Sequence, residues 1–213
     1  MASQPHPSRS RAIVRATLAT LIGLLALAGP AAARTLVDPA TLNPPPPDFF
    51  NAECYEGAGG TVCSLHFSDD PIADEPSGIV CGGTELLFSQ ERSVVGKRYY
   101  DANGDLAQRH FREWMSGTFT NPDTGNSLPW EQHDTIIHNL SIPGEVASGT
   151  IRTTGLMTRV WLPGGGSILL DAGTILEDFA TGDLIHEGGP HPFRDYFANG
   201  DASALQPLCD ALG

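Results

Sequence analysis

The chain has 213 residues, with 12 lysines and arginines against 25 aspartates and glutamates, which gives a formal net charge of −13 at pH 7. So acidic a surface repels phosphate backbones and anionic lipid headgroups, and it argues against a nucleic-acid-binding function. The length suits a single domain after a short leader, since domains typically contain about 100–200 residues.

Residues 1–33 have the features of a secretory signal peptide. Three arginines, Arg9, Arg11 and Arg15, precede the apolar run TLATLIGLLALA, and the alanines that end at Ala33 fit the small-residue cleavage pattern. The apolar run is shorter than the roughly 20 residues that a membrane-spanning helix needs. We therefore expect cleavage near Ala33 and a secreted, extracellular mature protein that is not attached to the membrane.

The four cysteines, Cys54, Cys63, Cys81 and Cys209, all follow the predicted cleavage site. An even number of cysteines in an exported chain indicates two disulfides, for which three connectivities exist. Cys54 and Cys63 bracket YEGAGGTV, whose glycines can close a tight local loop, and this leaves Cys81 to pair with Cys209. The alternative is a zinc site, but neither C-x-x-C spacing nor a neighbouring histidine pair supports it, so we expect no metal.

Residues 34–78 are typical of an arm rather than a core. The segment NPPPPDFF, residues 43–50, must be extended because prolines supply no N–H donors and fix φ. The segment SDDPIADEPSG, residues 68–78, is acidic and rich in breakers, which is typical of a loop. The arm is interpreted as a spacer, with binding of the proline segment to a partner domain as the alternative.

Residues 79–213 predict an all-β domain. Short runs rich in Val, Ile, Thr and aromatic residues alternate with the turn signals DANGD, NPDTGNS, IPGE, LPGGGS and ATGD. Consecutive hairpins favour a single antiparallel up-and-down β-barrel of about seven or eight strands over a two-layer sandwich, because closure removes exposed edges. A short C-terminal helix is predicted for DASALQPLCDAL, residues 201–212, with Asp201 as N-cap and three leucines on one face.

The stretch DANGDLAQRHFR, residues 101–112, resembles a calcium loop at first sight because Asp101, Asn103 and Asp105 alternate. An EF-hand loop requires glycine at its sixth position and glutamate at its twelfth, and these positions hold Leu106 and Arg112. The dipeptide Asn-Gly is instead a strong hairpin signal. The stretch is therefore predicted to be a turn between two strands.

The position of Cys81, the phrases YYDANGDL, TNPDTGNS and LLDAGTI, and the C-terminal LCDAL together resemble a group of uncharacterised exported actinobacterial proteins. The resemblance covers about residues 79–213 and concerns layout and turn phrases rather than a catalytic motif. It implies a small secreted β-barrel of calycin or allene-oxide-cyclase-like shape. The Cys54/Cys63 loop departs from the pattern of that group.

Two carboxylates stand out as candidate functional groups. Strand alternation places Glu113 on one face with Phe111 and Met115, where it is a candidate general base or ligand-orienting group, with an ion pair as the alternative. Asp171 lies in the middle of the apolar strand SILLDAGTIL. A buried carboxylate must be paired, hydrogen-bonded or protonated, so Asp171 is either a site residue or a structural one held by backbone N–H groups or an arginine.

Histidines and serines add weaker signals. His133 and His138 are five residues apart and point to opposite faces of one strand, so they cannot share a metal. His186 and His191 flank a loop in which they can approach each other. No G-x-S-x-G elbow marks a serine hydrolase, and no phosphate-binding glycine pattern is present.

These features predict an exported, monomeric β-barrel that binds a small apolar or amphipathic molecule without a cofactor. One alternative is an enzyme of cyclase, isomerase or hydrolase type that uses Asp171 or Glu113 with a histidine such as His110. The other is a structural cell-envelope protein. The residues predicted to line the ligand site are Phe111, Glu113, Met115, Leu156, Val160, Leu170 and Asp171, with Trp114 and Trp161 as further candidates.

Overall fold

The computed structural model describes residues 34–213, so the predicted signal peptide of residues 1–33 lies outside the described residues. Antiparallel β-structure dominates, as predicted, and a short helix ends the chain. No helix among the described residues has the length and apolar character that crossing a membrane requires.

Ten strands of the described residues form one sheet. Their order is β1-β2-β3-β5-β6-β7-β8-β9-β10, and β4 pairs with β5 alongside β3. All of the pairings are antiparallel. The strands are β1 (Leu36–Val37), β2 (Glu53–Gly57), β3 (Gly60–Ser68), β4 (Ile72–Cys81), β5 (Thr84–Tyr100), β6 (Leu106–Thr120), β7 (Ser127–Asn139), β8 (Thr150–Trp161), β9 (Ser167–Asp178) and β10 (Leu184–Gly188).

The prediction of a closed barrel with seven or eight strands is wrong, because the sheet is open and has ten strands. The reason lies in the 17-residue strand β5. Strand β3 pairs with residues 93–100 of β5, and β4 pairs with residues 84–90 on the same edge. In the predicted barrel, the last strand would have to pair with this edge of β5 to close the cylinder. Strands β3 and β4 already occupy the edge.

The structure also differs from the predicted arm over residues 53–78, which form β2, β3 and most of β4. In β3 the pattern of period two is plain: Cys63 and Leu65 are buried, whereas Ser64 and His66 are exposed. Strand β4 lies at an edge of the sheet, which is where a strand tolerates the missing N–H of Pro76. The part of the arm that stays outside the sheet is residues 38–52, with single 3₁₀ turns at Pro39–Thr41 and Asp48–Phe50.

The hairpin between β5 and β6 is formed as predicted. Its turn is closed by the Asp101 carboxylate, which accepts hydrogen bonds from the backbone N–H of Asn103 at 2.8 Å and of Asp105 at 3.0 Å. Gly104 has φ +84°, a conformation that favours glycine. The carboxylate that resembled a calcium ligand is therefore used to hold the turn.

The C-terminal segment covers one end of the inner face, which we define as the face that carries Val94, Phe119, Trp130 and Val160. The segment consists of α1 (Pro192–Asn199), a 3₁₀ turn at Ala202–Leu205 and α2 (Gln206–Leu212). The prediction that three leucines share one face of this segment is confirmed, since they are 0 % exposed against the sheet. They are Leu205, Leu208 and Leu212.

Both predicted disulfides are confirmed. Cys81, at the end of β4, is bonded to Cys209 in α2, and Cys54 of β2 is bonded to Cys63 of β3. The second bond belongs to a smaller apolar cluster at the other end of the inner face. There the arm is attached to β5, because the Tyr100 hydroxyl donates to the carbonyl of Pro44 at 3.0 Å.

Candidate functional site

A pocket of about 390 Å³ opens on the inner face between the arm and strands β3, β5 and β6. Apolar and aromatic groups form one part of its wall, and charged groups form the other. A pocket of this composition suits a molecule with an apolar body and a polar end. The lining residues are Pro47, Phe49, Phe50, Phe67, Arg92, Val94, Arg98, Arg109, Phe111 and Glu113.

Four phenylalanines from three chain segments converge at the pocket. Phe49 and Phe50 belong to the arm, Phe67 lies near the end of β3, and Phe111 lies in β6. Their ring centroids are 4.5 to 6.0 Å apart along the series, within the range of favourable aromatic pairs. Phe49 is 55 % exposed, which is unusual for so large an apolar side chain.

The Phe111 ring lies over a glycine on the neighbouring strand. Gly96 faces Phe111 across β5 and β6, and a Cβ atom at residue 96 would lie 2.4 Å from a ring carbon. A glycine in a strand interior commonly marks such a close approach. Because Gly96 has no side chain, the Phe111 ring can lie against the backbone of β5 in the wall of the pocket.

Three arginines line the charged part of the pocket. Arg92 forms ion pairs with Glu113 at 2.7 Å and with Asp69 at 3.4 Å. Arg98 and Arg109 lie directly opposite each other on β5 and β6. The side chain of Arg109 donates from Nε to Nδ1 of His138 at 3.1 Å, and Arg98 donates from Nη1 to the carbonyl of Pro45 at 3.2 Å.

A pair of buried carboxylates adjoins the pocket. Glu113 of β6 faces Asp134 of β7, and both are buried. Asp134 accepts a hydrogen bond on Oδ2 from Gln132 at 2.8 Å, whereas its Oδ1 is buried without a hydrogen-bond partner among residues 34–213. Burial, together with the charge of Glu113, raises the pKa of Asp134 from 3.8 to about 6. Asp134 can therefore exchange a proton near neutral pH, a property that the sequence analysis did not assign to it.

Asp171, the other carboxylate singled out by the sequence, holds the start of α1. Its Oδ1 lies 2.9 Å from Nδ1 of His191, and its Oδ2 accepts from the backbone N–H of Phe193 at 3.2 Å. The second ring nitrogen of His191 lies 3.3 Å from the carbonyl of Gly188. Burial raises the pKa of Asp171, and the His191 contact opposes this shift. The Asp171 carboxylate and both ring nitrogens of His191 already contact protein atoms. The pair therefore has the geometry of a structural contact rather than of a catalytic dyad.

Five of the predicted lining residues lie on the inner face, and only two of them, Phe111 and Glu113, line the pocket. Glu113 pairs with Arg92, and Asp171 is held by His191 rather than by an arginine. The residues that share the inner face are Phe111, Glu113, Met115, Val160 and Asp171.

Leu156 and Leu170 lie on the outer face, so neither of these predicted ligand-site residues lines the pocket of the inner face. Leu170 faces Arg159 and is 44 % exposed, because it is adjacent to Asp171 and neighbouring residues alternate. Leu156 has the same parity as Val160, but an irregularity of the β8–β9 register between Leu156 and Thr158 reverses the alternation. His110 and Trp114 of β6 also lie on the outer face.

Among residues 34–213, no group of three or more His, Cys, Asp or Glu side chains is placed to hold a metal ion. The chain matches no protein-family model, and searches of curated proteins and of solved structures likewise find no match.

Proposed function

We propose that this chain is an exported protein that binds a small amphipathic molecule in the pocket of the inner face. The observation that carries the proposal is the convergence of Phe49, Phe50, Phe67 and Phe111 beside charged groups, with Phe49 still largely exposed. The volume of about 390 Å³ falls within the range of roughly 300–1,000 Å³ that small-molecule pockets occupy. Covering exposed aromatic surface of this kind with an apolar body lowers the free energy of the complex.

Export is part of the proposal. The segment of residues 1–33 has the pattern of a signal peptide, and two disulfides suit an oxidising compartment. Membership of the exported actinobacterial group that the turn phrases resemble belongs to the same proposal, as does a monomeric state.

Nile red, a neutral fluorescent probe, tests the pocket. We expect its emission to shift to the blue and to saturate with added protein. Phe111→Ala should weaken binding by about tenfold or more, because a buried aromatic contact contributes roughly 1.5–3 kcal/mol. Trp114→Ala is the matched control, since Trp114 lies in the same strand and points to the opposite face. Equal affinities of both variants, or no emission change with the unmodified protein, would refute the proposal.

An acid–base enzyme is a second candidate, favoured by one observation. Asp134 lies opposite Glu113, its buried Oδ1 atom has no partner among the described residues, and its pKa is raised to about 6, which suits a general base or acid. The molecule that binds the Asp134→Asn variant during expression should then be the substrate, and adding it to the unmodified protein should give a product that chromatography separates from it. The Asp134→Asn variant should retain the molecule unchanged, and conversion by this variant would exclude the role.

A further inference from the structure

The three arginines of the pocket differ in how their charges are balanced. Arg92 faces two carboxylates, those of Glu113 and Asp69. None of the ion pairs formed within residues 34–213 includes Arg98 or Arg109. Acidic residues outnumber basic ones by about two to one in this chain, so a buried arginine and a half-buried arginine without a carboxylate are unexpected.

Arg98 and Arg109 also repel each other. They are directly opposite neighbours on adjacent strands and share the inner face, an arrangement that is destabilising for like charges. Arg98 is 5 % exposed, and its buried Nε has no hydrogen-bond partner within the part of the chain that the structure describes. The partners of its Nη1 are neutral, namely the carbonyl of Pro45 and the hydroxyl of Tyr100. Water can therefore do little to screen the charge of Arg98.

The partner of Arg109 is neutral as well. Nε2 of His138 lies 2.8 Å from the carbonyl of Ser148, so it must donate, and the lone pair of the neutral ring then lies on Nδ1 and accepts from Arg109. Burial lowers the pKa of His138, and the charge of Arg109 lowers it further. The ring orients the guanidinium without cancelling its charge.

From this geometry we infer that the molecule bound in the pocket carries a carboxylate, which Arg98 and Arg109 bind together. A carboxylate accepts paired hydrogen bonds from guanidinium groups and removes the repulsion between them. The four phenylalanines then cover the apolar body of the same molecule. The inference rests on the proposed function and adds the chemical class of the ligand to it.

Two probes of nearly equal shape test the charge requirement by titration calorimetry: 2-naphthoate and the neutral 2-naphthalenemethanol. We expect naphthoate to bind the unmodified protein about tenfold more tightly or better, since a hydrogen bond to a charged group contributes more than a neutral one. Arg109→Gln should reduce this preference to about twofold or less. Arg109→Lys keeps the positive charge and should retain part of the preference.

Arg152→Gln is the matched control, because Arg152 is an exposed arginine of β8 that lies outside the pocket, and it should leave the preference unchanged. Nile red binding, measured for every variant, reports whether the pocket is formed. Equal affinities of the two naphthalene probes, or no naphthoate binding while Nile red still binds, overturn the carboxylate site and leave the proposed pocket standing. If Nile red does not bind the unmodified protein, the proposed pocket itself is refuted.

Discussion

Replacement of Asp134 by asparagine should stabilise this protein above neutral pH, which is the opposite of what loss of a buried polar group usually does. In the folded state Asp134 is 6 % exposed and faces Glu113, and its Oδ1 has no hydrogen-bond partner in the described chain. Asparagine has nearly the same shape and can still accept the hydrogen bond from Gln132. The substitution therefore removes a buried negative charge with little loss of packing.

The expected gain in the free energy of unfolding follows from the shift in the pKa of Asp134. Burial raises the pKa of Asp134 from 3.8 to about 6, so the folded state holds a proton that the unfolded state releases. Between these pH values the folded state binds more protons, and the free energy of unfolding falls as the pH rises. Above pH 6 the loss is complete and amounts to about 3 kcal/mol. An asparagine side chain does not titrate, so the variant should be more stable by about this amount at pH 8 and nearly equal in stability below pH 4.

Urea unfolding followed by tryptophan fluorescence, repeated from pH 4 to pH 8, measures this difference. The difference between variant and unmodified protein isolates Asp134 from other carboxylates such as Asp171, whose pKa is also raised. Asp70→Asn provides the control, because Asp70 is exposed and should give no trend. If the variant gains no stability at pH 8, or if the stability difference does not depend on pH, then burial does not raise the pKa of Asp134 as inferred.

Three further predictions concern stability. Loss of the Cys81–Cys209 bond in a double serine variant should lower the free energy of unfolding by about 5 kcal/mol on the loop-entropy model, because the bond closes a loop with a sequence separation of 128, and urea unfolding measures it. Leu208→Ala should cost about 2–5 kcal/mol in the same assay, since Leu208 is fully buried. Gly173→Ala should lower the melting temperature by several degrees, because Gly173 has φ +141° and its Cβ would lie 1.9 Å from a carbonyl oxygen, whereas Gly59→Ala meets no atom within 4 Å and should melt like the unmodified protein.

Local signals predicted the parts of this fold that depend on neighbouring residues. The Asn103-Gly104 dipeptide identified a hairpin because few residues other than glycine adopt its backbone conformation. Alternation placed Phe111 and Glu113 on one face of β6 because side chains in a strand have a strict period of two. The glycine-rich loop after Cys54 indicated its bond to Cys63. Because the chain has four cysteines, Cys81 and Cys209 were then left to pair with each other.

Prediction of the site went wrong where the alternation breaks or depends on distant strands. The register irregularity after Leu156 moved that side chain to the outer face, although its parity matches that of Val160. The acidic, breaker-rich segment that forms β4 resembled a loop because an edge strand needs little apolar surface.

The sequence by itself therefore determined the antiparallel β class, the hairpins, the amphipathic C-terminal segment and the two disulfides, because each depends on a short stretch of chain or on the number of cysteines. Only the tertiary structure decided that Arg98 faces Arg109 and that Glu113 faces Asp134. Those contacts depend on the register between strands, which turns and bulges elsewhere in the chain set. Strand pairing thus determines which charged residues face each other in and beside the pocket, and no local sequence pattern predicts that pairing.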